Sequence, residues 1–295
     1  MQWQGVMPAI TTPFRPDLSV DTDFLAQHVT WLIDNGCTGV VACGSLGEGA
    51  TLTLDEKQAV LQTCVAAVGK RVPIVAGISA LSTAEAVQQA KIAADVGCQG
   101  LMVLPPYVYS TDWREMKAHI VAVMNATPLS CMLYNNPIAY KTDFIPEHIV
   151  ELADEVRNFH AVKESSADAR RIMAIRVLLG DRLRILVGVD DGIVEALAMG
   201  AVGWVAGLVN AFPKESVRLY DAAVAGNHDE VFRIYQWFLP LLRLDVVVKF
   251  VQMIKLTQAA VMMGNPRVRP PRLELTGAEL EATQRIIDTA LANPV

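Results

Sequence analysis

In the stretch NFHAVKESSADARR, residues 158–171, an apolar run gives way to a polar, helix-opening segment, and Lys163 stands at the changeover. An amine held at the end of a buried strand loses hydration. Because desolvation disfavours the charged form, its pKa falls and neutral amine becomes available near pH 7. A neutral lysine attacks a carbonyl carbon to form a Schiff base. Tyr134 ends the preceding apolar run, and a phenol beside such an amine relays protons as general acid and base. The loop GSLGEG, residues 44–49, offers the Ser45 hydroxyl and the backbone N–H groups of Ser45, Leu46 and Gly47 as a cradle for a carboxylate. It lacks the GxxxxGK[ST] spacing of a nucleotide-phosphate loop.

The segments LYNNP, GVDDG and VAGLVN bring Asn136, Gly188 and Val205 to the same set of strand ends, as candidate substrate contacts. Each residue also has a plainer reading. Lys163 is solvated or paired with Glu164, Tyr134 is a half-buried packing residue, the glycines make a tight turn, and Glu48 satisfies backbone groups. Lys249, in DVVVKFVQ, has apolar neighbours too, but it fits a helix whose lysine stem lies along the surface with its head in water.

What must position these residues is a repeated pattern. Short runs rich in Val, Ile and Leu alternate with amphipathic stretches, as parallel strands joined by crossover helices do. The expected strands are 6–11, 39–42, 73–77, 100–104, 130–134, 159–163, 185–189 and 203–206. Thr53 to Glu56 and Ser82 to Glu85 fit the capping box at a helix start. DNGCTGVV, DVGCQGLM and AMGAVGWV share a helix-ending glycine (Gly36, Gly97, Gly200) and a strand-opening one (Gly39, Gly100, Gly203), which marks equivalent αβ turns. Eight βα units predict a TIM (β/α)8 barrel with its chemistry where strands end, and Lys163 is at such a point. Helices expected over about 213–225, 229–242, 246–263 and 276–292 divide the chain into a barrel, residues 1–225, and a C-terminal helical extension, 226–295, packed on it.

Composition narrows the function classes. With 295 residues, 52% hydrophobic and 19% charged, the chain can bury a large core. The net charge of −6 and the absence of a Lys/Arg cluster exclude a nucleic-acid surface, leaving small molecules as the expected partners. The uncharged segment 196–212 falls short of a membrane span, is broken by Gly200, Gly203 and Gly207, and reads as a helix end followed by a buried strand. No signal-peptide pattern opens the sequence, so a cytoplasmic location is expected. The five cysteines and five histidines have no metal-ligand spacing, so reduced core cysteines and no metal are expected.

GSLGEGATLTLDEK, YNNP, VKESS after a strand and the closing RVRPPRLELT, in this order, resemble the dihydrodipicolinate synthase and N-acetylneuraminate lyase family over essentially the whole chain. That resemblance implies a TIM barrel with a C-terminal helical bundle, a homotetramer built as a dimer of dimers, and no metal or organic cofactor. It assigns Lys163 as the Schiff-base lysine and Tyr134 as the proton-relay tyrosine. Ser45 becomes the hydroxyl linked to that tyrosine, and the Ser45 and Leu46 amides the holders of a 2-oxo acid's carboxylate. Two departures stand out. Ala139 occupies the position where the synthases carry an arginine for a second carboxylate, and Pro106, Tyr107 and Val108, with Tyr109 after them, replace the Pro-Tyr-Tyr stretch whose tyrosine reaches a neighbouring subunit. GSLGE with YNNPIAY and VKESS is most similar to the branch of 1-pyrroline-4-hydroxy-2-carboxylate deaminases of hydroxyproline breakdown, with Asn136 meeting the substrate hydroxyl. A pyruvate-yielding aldolase, the synthase itself and a noncatalytic 2-oxo acid sensor are the alternatives.

Overall fold

The computed structural model describes residues 1–106 and 112–295. Eight strands, β1 (Gly5–Pro8), β2 (Val40–Ala42), β3 (Ile74–Ile78), β4 (Gly100–Val103), β5 (Ser130–Asn135), β6 (Phe159–Glu164), β7 (Arg184–Val187) and β8 (Gly203–Ala206), form one parallel sheet. Its order, β1-β8-β7-β6-β5-β4-β3-β2, runs once around. A parallel bridge between Ala9 and Val41 joins the two ends, with Ile10 N–H donating to Val41 C=O at 2.9 Å. The result is the expected TIM barrel. Nearly every strand residue is buried, as sheets covered by helices on the outside and packed side chains within require.

The helices are α1 (Thr22–Asp34), α2 (Leu54–Val68), α3 (Thr83–Asp95), α4 (Trp113–Met124), α5 (Pro137–Tyr140), α6 (Pro146–Glu155), α7 (Arg170–Leu179), α8 (Ile193–Ala198) and α9 (Pro213–Val224), followed by α10 (His228–Leu242), α11 (Phe250–Ala260) and α12 (Gly277–Ala292). The capping box at Thr53 is complete, with Glu56 closing back on the Thr53 N–H. At Ser82 only half of it forms: the hydroxyl accepts from Glu85 N–H, while the Glu85 carboxylate instead accepts from Gln89. Gly36, Gly97 and Gly200 all take positive φ, at 96°, 93° and 95°, which gives the repeated turn its physical basis.

Among the described residues no helix is long and apolar enough to cross a membrane, and segment 196–212 divides into the end of α8, the buried β8 and a short 3-10 turn, Leu208–Asn210. The helix expected over 246–263 is shorter. It runs only over Phe250–Ala260, after a separate 3-10 turn at residues 243–245, and Lys249 stands just before it, its side chain paired with Glu279 and making no capping bond. The five cysteines are all buried and free.

Candidate active site

Parallel pairing of β5 with β6 sets Tyr134 opposite Lys163 and Asn135 opposite Glu164. Successive strand residues point to opposite faces, so the two pairs do different work. On one face the Lys163 Nζ lies over the Tyr134 ring, 4.2 Å from its centroid, and both side chains are only 6% exposed. On the other, Glu164 accepts from Asn135 Nδ2 at 3.1 Å and from Ser166 N–H at 2.8 Å. Asn135 also exchanges hydrogen bonds with the Phe144 backbone, and Arg171 clamps Asp143 through both its terminal nitrogens, at 3.0 and 2.8 Å. This buried polar layer locks the tips of β5 and β6 together. It also removes Glu164 as a partner of Lys163.

Burial lowers the Lys163 pKa from its ordinary value to about 8, against the opposing pull of Asp245 and Asp190. The stem needs space as well. A Cβ on Gly188, just after β7, would stand 2.2 Å from Lys163 Cε and 2.1 Å from Ser165 Oγ, so only glycine leaves the lysine its path. Burial pushes the Tyr134 hydroxyl up to about 12, with the hydrogen bond from Asn136 acting the other way. Asn136 donates from Nδ2 to that hydroxyl at 3.0 Å while its Oδ1 caps α5 by accepting from Ala139 N–H at 3.0 Å. Its amide is thus engaged at both ends. Val205 is buried within β8, in register with Met7.

The loop after β2 is held in shape by Glu48. This residue takes a left-handed φ of 53°, is 1% exposed, pairs with Lys255 and accepts from Arg269 N–H at 2.9 Å. Arg269 in turn grips Glu56 with two hydrogen bonds of 2.8 Å, so the closing RVRPPR segment ties the loop to the C-terminal helices. Glu48 is therefore the structural carboxylate of the plainer reading. The Gly47 carbonyl accepts from Thr12 at 2.6 Å, and the loop's internal bonds use the N–H groups of Glu48 and Gly49, leaving those of Ser45 and Leu46 without a hydrogen bond among the described residues.

Among the described residues Ser45 makes no hydrogen bond to Tyr134. Its hydroxyl is hydrogen-bonded to that of Tyr140, whose ring meets the Tyr134 ring edge-on, with centroids 5.8 Å apart. The short helix α5, opened by Pro137 and capped by Asn136, folds the chain back and brings Tyr140 there. Tyr107 and Tyr109 lie outside the described residues.

Four groups lie beyond the sequence reading. Tyr140 lay within the quoted YNNPIAY, and Asp190 within GVDDG, both without an assigned role. Asp190 is fully buried and accepts from Trp204 Nε1 at 2.9 Å, Gly207 N–H at 3.1 Å and Leu208 N–H at 2.7 Å; burial raises its pKa to about 6 despite these bonds. Asp245 comes from the C-terminal helices, with no sequence signal for its position. The fourth is Lys255 in α11, which burial also lowers to about 8. It differs from Lys163 in being directly paired with a buried carboxylate, Glu48. No cluster of three or more His, Cys, Asp or Glu side chains suited to a metal occurs among the described residues.

A desolvated lysine over a phenol, beside a loop with free N–H groups, is equipped to bind a 2-oxo acid by its carboxylate and capture its carbonyl. Comparison with known proteins agrees at the level of family. Residues 2–290 match the model of the dihydrodipicolinate synthetase family. The 4-hydroxy-tetrahydrodipicolinate synthase of Methanococcus maripaludis strain C6 is 32% identical over 290 residues, 98% of each chain. That of Agrobacterium fabrum strain C58 is also 32% identical over 290 residues, 98% of this chain and 97% of the relative. A crystal structure of the chloride-inhibited dihydrodipicolinate synthase from Acinetobacter baumannii complexed with pyruvate superposes with a TM-score of 0.92 at 27% identity, covering 97% of this chain and 98% of the other. The chain belongs to the dihydrodipicolinate synthetase family, whose members are enzymes of the Schiff-base lyase type.

Proposed function

We propose that this enzyme forms a Schiff base between Lys163 and C2 of 1-pyrroline-4-hydroxy-2-carboxylate and converts that compound to 2-oxoglutarate semialdehyde and ammonia. The Schiff base itself is supported by the desolvated Lys163 amine over the Tyr134 ring. The choice of substrate is supported by one observation above others: the charged groups acting on Lys163 are Asp245 and Asp190, both acids, and Ala139 stands where the synthases have an arginine. A second carboxylate at the substrate's far end would face these acids, with no arginine at position 139 to balance it. A hydroxyl there would not need one.

In this reading the Ser45 and Leu46 N–H groups hold the carboxylate. Lys163 adds to C2 and the ring nitrogen leaves as an amine. Loss of a C3 proton gives an enamine, whose electrons expel the C4 hydroxyl as water. Loss of a C5 proton and reprotonation at C4 make C5 an imine carbon, whose hydrolysis releases ammonia; reprotonation at C3 restores the C2 iminium, whose hydrolysis frees Lys163. Tyr134 shuttles protons in these steps, oriented by Asn136, with the Ser45–Tyr140 pair extending the line of hydroxyls within one chain.

The second reading is 4-hydroxy-tetrahydrodipicolinate synthesis, favoured by the name that the curated relatives carry. A side-by-side assay separates the two. The proposal predicts ammonia and semialdehyde from the hydroxylated imine, and no condensation of pyruvate with aspartate semialdehyde; the opposite pattern would assign the synthase.

A further inference from the structure

Asp245 reaches the barrel mouth from outside the barrel's own strands. It closes the 3-10 turn Arg243–Asp245 between α10 and α11, which packs on the turn Asp190–Gly192 that follows β7. Its carboxyl lies against Gly207, the residue after β8: a Cβ there would stand 2.0 Å from Oδ1 and 2.7 Å from Oδ2. Asp245 is half-buried as a residue, but its Oδ1 is closed off from solvent and accepts no hydrogen bond among the described residues. A buried polar atom left without a partner is unfavourable. The surrounding groups are engaged. Asp190 is held by Trp204, Gly207 and Leu208, Asp191 faces Arg243 at 3.7 Å, and Tyr235 donates to the Asp191 carbonyl. Among the described residues Asp245 Oδ1 is the buried carboxyl oxygen left without a hydrogen-bond partner, and the charges of Asp245 and Lys163 act on each other's titration.

We propose that Asp245 is the side chain that engages a hydroxyl at the far end of the Lys163-bound substrate and supplies the proton with which that hydroxyl departs. The inference rests on the dehydrating reaction proposed above and adds the acid that reaction needs. In the enamine the nitrogen lone pair re-forms the C2–nitrogen double bond, the C2–C3 pair becomes the C3–C4 double bond, and the C4–oxygen bond breaks. The proton moves from Asp245 to the departing oxygen, giving water, and the carboxylate left behind recovers a proton from C5 in the following tautomerisation. Burial, reinforced by repulsion from Asp190, holds Asp245 well above the usual carboxylate range, so a proton is available.

Two variants, Asp245→Asn and Asp245→Ala, test this with borohydride trapping of the full-length enzyme by 1-pyrroline-4-hydroxy-2-carboxylate, by 1-pyrroline-2-carboxylate, which lacks the hydroxyl, and by pyruvate. Wild type is expected to capture the hydroxylated imine at least about tenfold more readily than the deoxy compound. Asp245→Ala should lose that preference while still trapping pyruvate, which also reports that the variant is folded. Asp245→Asn should release ammonia about 10² to 10⁴-fold more slowly, and its trapped adduct should retain the hydroxyl, one water heavier than the dehydrated species. Unchanged preference in Asp245→Ala, or undiminished ammonia release in Asp245→Asn, overturns the assignment. If wild type releases no ammonia at all, the dehydrating reaction falls, and the assignment of Asp245 to a hydroxyl is then decided by the trapping preference alone.

Discussion

The amine of Lys163 lies 4.2 Å from the centre of the Tyr134 ring, and the two residues are register partners on adjacent strands. Backbone pairing thus fixes where the two side chains start, and burial restricts where they can go. The lysine is kept there at a cost in stability. Its pKa in the fold, about 8, lies below the ordinary value of 10.5, so below pH 8 the folded state carries the full penalty of a buried cation. Between about 8 and 10.5 the unfolded chain binds more protons than the folded one, and wild-type stability rises with pH. Lys163→Met should therefore be inactive yet more stable at pH 7, by on the order of a few kcal/mol, with the gain shrinking as pH climbs through that window. Chemical denaturation at several pH values measures this; a variant less stable than wild type at pH 7 would contradict it.

Tyr134→Phe keeps the ring against Lys163 and deletes the hydroxyl. Turnover should fall about 10² to 10⁴-fold, while an adduct with pyruvate still forms. Pre-steady-state trapping distinguishes the two, and an unchanged kcat would remove Tyr134 from proton transfer.

Ser45 and Tyr140 are joined hydroxyl to hydroxyl, and two groups acting as one unit lose function together. Ser45→Ala and Tyr140→Phe should each reduce turnover about tenfold or more, and the double variant should be no worse than the poorer single one. Multiplicative losses in a double-mutant cycle would mean independent roles.

The Glu48–Lys255 pair is buried, with side-chain exposures of 0% and 2%. Removing one partner strands the other charge, so Glu48→Gln should destabilise the fold by about 3–5 kcal/mol, whereas Glu48→Gln combined with Lys255→Met should recover much of the loss. Thermal and urea unfolding of the three proteins read this out. A stable Glu48→Gln with poor substrate binding would instead make Glu48 a ligand group.

Sequence periodicity carried the barrel well because each of its signals is local: apolar runs, a glycine at each repeated turn, a hydroxyl at a helix start. Lys163 and Tyr134 were legible for the same reason, since a strand end can be counted along the chain. Asp245 was not, because its position depends on how a 3-10 turn in the C-terminal helices packs over Gly207, a contact between residues far apart in sequence. Tyr140 was hidden by a different cause. The tight helix Pro137–Tyr140 reverses the chain after β5, and nothing in its composition says which side chain then points back to Ser45. Lys255 was not legible either, because a lysine in a helix reads as solvated until the packing of Glu48 and Phe14 around it is known.

The central claim is that Lys163 is a nucleophile toward a carbonyl or imine carbon. Its most direct test is peptide mass spectrometry of the enzyme reduced with borohydride in the presence of pyruvate, and separately of 1-pyrroline-4-hydroxy-2-carboxylate. The account predicts a covalent adduct on the peptide containing Lys163 with each compound, absent from Lys163→Ala and rising in rate with pH up to about 8. A protein that stays unmodified, or one modified at Lys255 or another lysine with Lys163 intact, would contradict it.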